Sequence, residues 1–129
     1  MLNNLAKSLR YAHSVVREGM KSVHRSPEWN VVRDTFVATH EACEACGCME
    51  KLQVHHVKPF HLQPELELDE SNLISLCMGP NECHLFIGHG DSFRCYNPNV
   101  REDAKRFMAA SSDDRKKIIG EAREARLTD

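Results

Sequence analysis

Several things are scarce or missing in this 129-residue chain. No stretch approaches the roughly 20 consecutive apolar residues needed to span a bilayer, and the N-terminus has no continuous apolar segment of the secretory kind. The chain therefore reads as an intracellular, cytoplasmic protein with no membrane partner. Aromatic residues are few, 6% of the chain against 41% hydrophobic overall, which suits a small helical or metal-supported domain better than one built around large rings. The net charge of −2 gives no global basic signal for nucleic acid. Internal repeats, low-complexity tracts and interdomain linkers are absent, so a single domain over residues 1–129 is expected. No recognition helix can be identified, which leaves any sequence preference unreadable.

What is present is concentrated. Charge is uneven: residues 1–25 carry Lys7, Arg10, Arg17, Lys21 and Arg25 against Glu18 alone, while Pro64 to Glu70 carries Glu65, Glu67, Asp69 and Glu70. A positive face that meets phosphate is compatible with this, and so is an ordinary solvated surface. Leu2, Leu5, Leu9, Ala12, Val16, Gly19 and Val23 recur in steps of three and four, which predicts an amphipathic helix over residues 2–22. It would pack on the domain, on a second copy of the chain, or along DNA. Ser26-Pro27-Glu28 reads as a helix start, with Ser26 as N-cap and Trp29, Val32 and Phe36 on one core-facing side to about His40.

Leu52 to Val57 alternates and should form a short strand that Pro59 ends, with Leu73 to Cys77 as the second strand. Residues 60–70 read as an acidic loop. After the turn Met78-Gly79-Pro80-Asn81, a short helix is expected over Glu82 to Gly88. Asn99 with Glu102 has capping-box spacing ahead of Val100, Ala104, Phe107 and Met108, and a last helix is expected from Asp113 to Arg126. The organisation is α+β and mainly helical: helices to residue 40, a metal-bearing core over residues 41–98, and helices over residues 99–129.

The six cysteines fall in a pattern that favours metal over disulfide in a reducing compartment. Cys43-x-x-Cys46 can fold back on one tetrahedral ion. A second pair comes from Cys77, at the end of a strand, and Cys83, beyond the Gly-Pro turn. Their spacing is wider than the usual one, and the turn can absorb it. Cys48 is a spare candidate and Cys95 reads as a free thiol. Thiolates of this kind suit a closed structural zinc, whereas the imidazoles between them suit a catalytic divalent ion and a general base.

In combination, Val54-His55-His56-Val57-Lys58-Pro59-Phe60, Asn72-Leu73-Ile74-Ser75-Leu76-Cys77 and Cys83-His84, framed by Cys43-x-x-Cys46, resemble the HNH nuclease family, in particular the zinc-knuckle HNH endonucleases of bacteria and their phages. The resemblance covers residues 43–90 and continues through Asn97-Pro98. It implies a ββα-metal finger: two strands and a helix around one catalytic metal, beside a four-cysteine zinc knuckle of Cys43, Cys46, Cys77 and Cys83. It further implies that His55 binds the catalytic metal, that His56 is the general base, that Asn72 pins the finger's loop, and that His84 is the next metal ligand with His89 as a third. Neighbouring strand residues point to opposite faces, which agrees with separate roles for His55 and His56. The five-residue step from His84 to His89 departs from the four that would put both on one α-helical face.

Mg2+ or Mn2+ suits the catalytic site by availability, and paired imidazoles also attract Ni2+ or Zn2+. The expected function is metal-dependent hydrolysis of DNA, by nicking or by double-strand cleavage. A single finger cuts one strand, so a double break needs a homodimer or two events. Lys51, Lys58 and Arg94 flank the finger and are expected to meet phosphates. His61 either packs in its loop or meets substrate. The alternative reading is a zinc-supported nucleic-acid-binding module active only with a partner such as a phage terminase, for which an intact His56, Asn72 and His84 set would be unnecessary.

Overall fold

A computed structural model describes residues 24–129. The helix expected over residues 2–22, and any dimer contact through it, lies outside the described residues.

Two short strands carry the architecture. β1 (Leu52–His56) pairs antiparallel with β2 (Leu73–Cys77), in a register running from Leu52 opposite Cys77 to His56 opposite Leu73. β2 has the expected extent, and β1 ends at His56, one residue short of the expected Val57, in a segment bounded by turn formers. All five β2 residues are buried, since this strand is covered on both faces. On one face, α1 (Trp29–Thr39) lays Val32 and Phe36 against Leu68 and Leu73, with Trp29 and Val54 at the edge. On the other, Ile74 and Leu76 pack with Ile87, Val100, Ala104, Phe107 and Ile118. Those partners come from a short π-helical segment, His84–Gly88, and from α2 (Val100–Ala109) and α3 (Ser112–Ala125). A second small ribbon pairs β3 (Cys95–Tyr96) with β4 (Leu127–Thr128) and returns the chain end towards the π-segment.

Local expectations change in three places. Helix α1 starts at Trp29, and Ser26 closes the turn before it: its Oγ accepts from the Glu28 amide at 3.1 Å and its carbonyl from the Trp29 amide at 3.1 Å. The Ser26 amide is itself held by the Glu67 carboxylate at 2.9 Å, which fixes the chain one turn upstream of the helix. Residues 60–70 are not a solvated acidic loop. They include a 3-10 turn at Pro64–Leu66, with another at Glu70–Asn72, and Glu67 is only 1% exposed.

At α2, Asn99 makes no side-chain cap. Buried Asn97 does the anchoring: its Oδ1 accepts from the Asn99 amide at 2.9 Å, and its Nδ2 donates to the Ile87 carbonyl at 2.9 Å and to Asp103 at 2.8 Å. A buried amide with these bonds ties α2 to the π-segment, which a surface capping box could not do. Ser111 does cap α3, accepting from the Asp114 amide. Among the described residues no helix is long and apolar enough to cross a membrane.

Candidate active site

The knuckle begins with a tight turn. The Cys43 amide donates to the Cys48 carbonyl at 2.7 Å, the Gly47 amide donates back to the Cys43 carbonyl at 2.8 Å, and Gly47 takes a φ of +81° that only glycine adopts cheaply. Glu44 fastens this turn to β2, its carboxylate accepting from the Ser75 amide at 2.9 Å and its own amide donating to the Ser75 carbonyl. The result brings Cys43, Cys46, Cys77 and Cys83 together with all four sulfurs within 4.8 Å of one another. Cys46 and Cys77 lie 3.7 Å apart, close to the roughly 3.8 Å that tetrahedral thiolates about 2.3 Å from one ion would show. Cys83, beyond the end of β2, is brought into the set by the Gly79-Pro80 turn. Cys48 is left out and points its thiol at the Gly79 carbonyl, 3.3 Å away. A hydrogen bond from the Cys83 thiol holds Cys43 down to about 4, and the same bond pushes Cys83 up. That bond favours the thiolate form of Cys43, the form a metal needs.

The second cluster lies at the other end of β1. Strand alternation puts Gln53 and His55 on the face towards the π-segment, and Val54 and His56 on the face towards α1. His55, His84 and His89 converge, with one nitrogen from each ring within 4.8 Å of the others. The π-geometry makes this possible. The His89 amide donates to the His84 carbonyl five residues back, at 3.1 Å, so residues five apart share a face here. Gly88 admits the segment so close to β1 that a Cβ there would stand 3.2 Å from His55 Cε1 and Nδ1 and from Leu76.

Tautomers follow from the partners. His84 Nδ1 donates to Gln53 Oε1 at 2.8 Å, and His89 Nδ1 donates to the Cys95 carbonyl at 2.7 Å. Both Nε2 atoms are then bare in the neutral rings, and they face each other at 3.2 Å. Two lone pairs that close repel unless a cation lies between them. His55 Nε2 is buried with no hydrogen-bond partner among the described residues, a further orphan that an ion would satisfy. Burial lowers His55 well below the ordinary imidazole range and takes His84 down to about 4, with neighbouring imidazoles adding to both. These rings are therefore held neutral, the metal-binding form. The donor chemistry fits a metal ion at each cluster.

His56 faces the other way, its ring 4.6 Å from that of Trp29. Its Nε2 donates to the Glu67 carbonyl at 2.9 Å, which leaves Nδ1 as the bare nitrogen. Burial lowers it to about 4, only partly offset by that carbonyl bond, while Arg25 lowers it further. Asn72 reaches across the loop before the second 3-10 turn. It accepts from the Lys58 amide at 2.8 Å and donates to the carbonyls of Lys58 at 3.1 Å and Leu66 at 3.3 Å. The loop it ties down includes Glu67, and so the acceptor that orients His56.

His55, His56, His84 and His89 line one open cavity of about 200 Å³, together with Arg25, His61 and Asp129. His61 is exposed beside Phe60 at its rim. Lys58 and Arg94 are both exposed, on nearby loops. Lys51 sits at the knuckle end of β1, about 17 Å of strand from His56, where its carbonyl accepts from Met78. Nothing in the sequence singled out Arg25, Glu67, Gln53 or Phe93, whose half-exposed ring lies 4.9 Å from that of His89. Glu67 looks like any member of its acidic run, and Gln53 like a solvent-facing strand residue.

The HNH endonuclease family model matches residues 43–89, a span that opens on the first cysteine of the knuckle and closes on the last histidine of the second cluster. No curated protein and no solved structure matches the chain. Residues 43–89, which hold both ligand clusters, thus match the HNH endonuclease family.

Proposed function

We propose that the chain, as one nuclease unit over residues 1–129, hydrolyses DNA phosphodiester bonds with His56 as general base. The observation that carries this reading is the pairing, in one cavity, of an imidazole whose Nδ1 is left bare by the Glu67 carbonyl with three imidazoles aimed at a common point. His56 takes the proton of an attacking water at Nδ1, the new P–O bond forms as the 3′ oxygen leaves, and the ends are a 5′-phosphate and a 3′-hydroxyl. Asn72 acts through the loop, keeping the Glu67 carbonyl in place so that His56 keeps its tautomer. His55, His84 and His89 would hold the catalytic ion, Mg2+ or Mn2+ by availability and Ni2+ or Zn2+ by affinity for imidazole. Such an ion supplies charge neutralisation at the phosphate and at the leaving oxygen. Cys43, Cys46, Cys77 and Cys83 would hold a structural zinc, the usual occupant of a closed four-thiolate site.

Lys58 and Arg94, near the cavity, and Lys51, further along β1, are read as contacts to phosphates beyond the scissile one. The test uses zinc-loaded protein, supercoiled plasmid and each divalent ion in turn, with His56→Ala alongside. Metal-dependent nicking by the parent, lost in a folded variant with unchanged metal content, is the expected result. Full cleavage by the variant would overturn the assignment of the base.

A further inference from the structure

The cavity is lined by one arginine that the mechanism above does not use. Arg25 lines the cavity of the four histidines. It also lines an adjoining groove of about 610 Å³ between α1 and β1, whose walls include Trp29, Arg33, Gln53 and His56. Its guanidinium carbon stands 5.0 Å from the Trp29 ring centre and 4.6 Å from that of Phe60, so the planar group is held between two aromatic faces. Its Nε donates to the Glu67 carboxylate, which is almost wholly buried, yet the Arg25 side chain is 47% exposed. The two terminal nitrogens have no partner among the described residues. Glu67 thus fixes two groups at once: its side chain fixes Arg25 and its backbone carbonyl fixes His56.

A guanidinium pinned at Nε, with its outer edge open, is organised to take two oxygens of an anion. Structural ion pairing alone explains this less well. The Ser26 amide already bonds the Glu67 carboxylate from the same stretch of chain, and a purely structural arginine would not need to line the histidine cavity while staying 47% exposed.

We propose that Arg25 holds the non-bridging oxygens of the substrate phosphate presented to His56, with the same DNA strand continuing into the groove between α1 and β1. The inference rests on the nuclease reading and adds to it the residue that places the phosphate. The contact is to backbone and not to bases, so it adds affinity and rate without sequence preference.

Two measurements test it. In cleavage, R25Q should lose about 10²–10³-fold in kcat/KM, the scale seen when one preorganised donor to developing charge is removed. R25K should recover part of that, because a point charge replaces a fork. In binding, a labelled DNA oligonucleotide is titrated in a salt series against the His56→Ala protein with and without R25Q. The slope of log affinity against log salt should shrink by about 0.7–0.9 if one phosphate contact is lost. A structural role would lower the melting temperature and leave that slope alone.

Should R25Q fail to fold, R25K keeps a cation beside Glu67 and carries both measurements. In that case an R25K cleavage rate equal to the parent's with an unchanged dependence on salt overturns the proposal. A parent protein that binds DNA but never cuts defeats the nuclease reading, while the salt slope still decides whether Arg25 meets phosphate. Unchanged cleavage together with an unchanged slope in a folded R25Q overturns the proposal directly.

Discussion

Replacing Asn72 with alanine should be costly for a reason unrelated to packing. The side chain is 5% exposed and makes three hydrogen bonds, all to backbone groups of the loop that closes the finger. Each contributes about 0.5–1.5 kcal/mol net, and truncation leaves the Lys58 amide and two carbonyls in search of partners. Water can reach part of the loop, so the midpoint of that range summed over the bonds, about 3 kcal/mol, is the fair expectation. For a domain of this size that corresponds to a fall in Tm of about 12 °C at roughly 4 °C per kcal/mol. Asn72→Asp separates hydrogen bonding from volume. It keeps an acceptor for the Lys58 amide, loses both donations, and sets a carboxylate oxygen against two carbonyls, so it should be no more stable than the alanine variant.

The same loop bears the Glu67 carbonyl that orients His56. A slip of about 1 Å there should lower kcat by about 10²-fold even where the protein remains folded and metal-loaded. Thermal unfolding at fixed zinc concentration, followed by plasmid nicking below the transition, reads both effects. A Tm shift under about 2 °C for Asn72→Ala, less than 1 kcal/mol, would refute the view that this amide pins the loop.

Gly88→Ala should weaken the catalytic ion by about 10–100-fold, because the added methyl meets His55 and Leu76 at 3.2 Å where neither can yield; Gln53→Leu, which removes the partner of His84 Nδ1, should fall in the same range. Competitive metal titration measures both, and an unchanged affinity in either would count against the geometry. Cys83→Ser should abolish stoichiometric zinc and cooperative unfolding, since Cys43, Cys77 and Cys83 share one core with Ile87, Val100 and Phe107, whereas Cys48→Ser should leave zinc content at its parent level. Metal analysis by mass spectrometry distinguishes the two.

Stability should also fall on acidification. His56 and His84 are held at about 4 by burial, below the ordinary 6.5, so the unfolded chain takes up protons first. Their contribution is complete above 6.5 and is lost as pH drops from there towards 4. Urea midpoints at several values across that window should decline, and a flat profile would contradict the burial of these rings.

Much of the hairpin was legible in the chain because its determinants are local. Alternation marks Leu52–His56 and a short apolar run marks Leu73–Cys77, and strand alternation sends His55 and His56 to opposite faces. Cys43-x-x-Cys46 needs only a short turn to close on an ion. The adjacent histidines, Asn72 and His84 carried the family resemblance, and the family match falls on the same stretch. The Asn99 cap fails for the opposite reason. Its spacing suits a local box, but buried Asn97 is claimed by the Ile87 carbonyl and Asp103 and takes over the anchoring.

Residue order alone settles which chemical groups are available and on which face of β1 each histidine emerges, since side-chain direction along a strand is a property of the backbone. That His89 joins His55 and His84 is settled by packing. The five-residue step fails in an α-helix and succeeds in a π-segment, which is stabilised by bonds to Cys95 and Asn97 from beyond it. Packing, too, brings Arg25 and Ser26 to Glu67 across 42 and 41 residues of chain. A buried carboxylate must find its donors wherever the fold supplies them, and no local pattern announces which acid in a charged run will be the one enclosed.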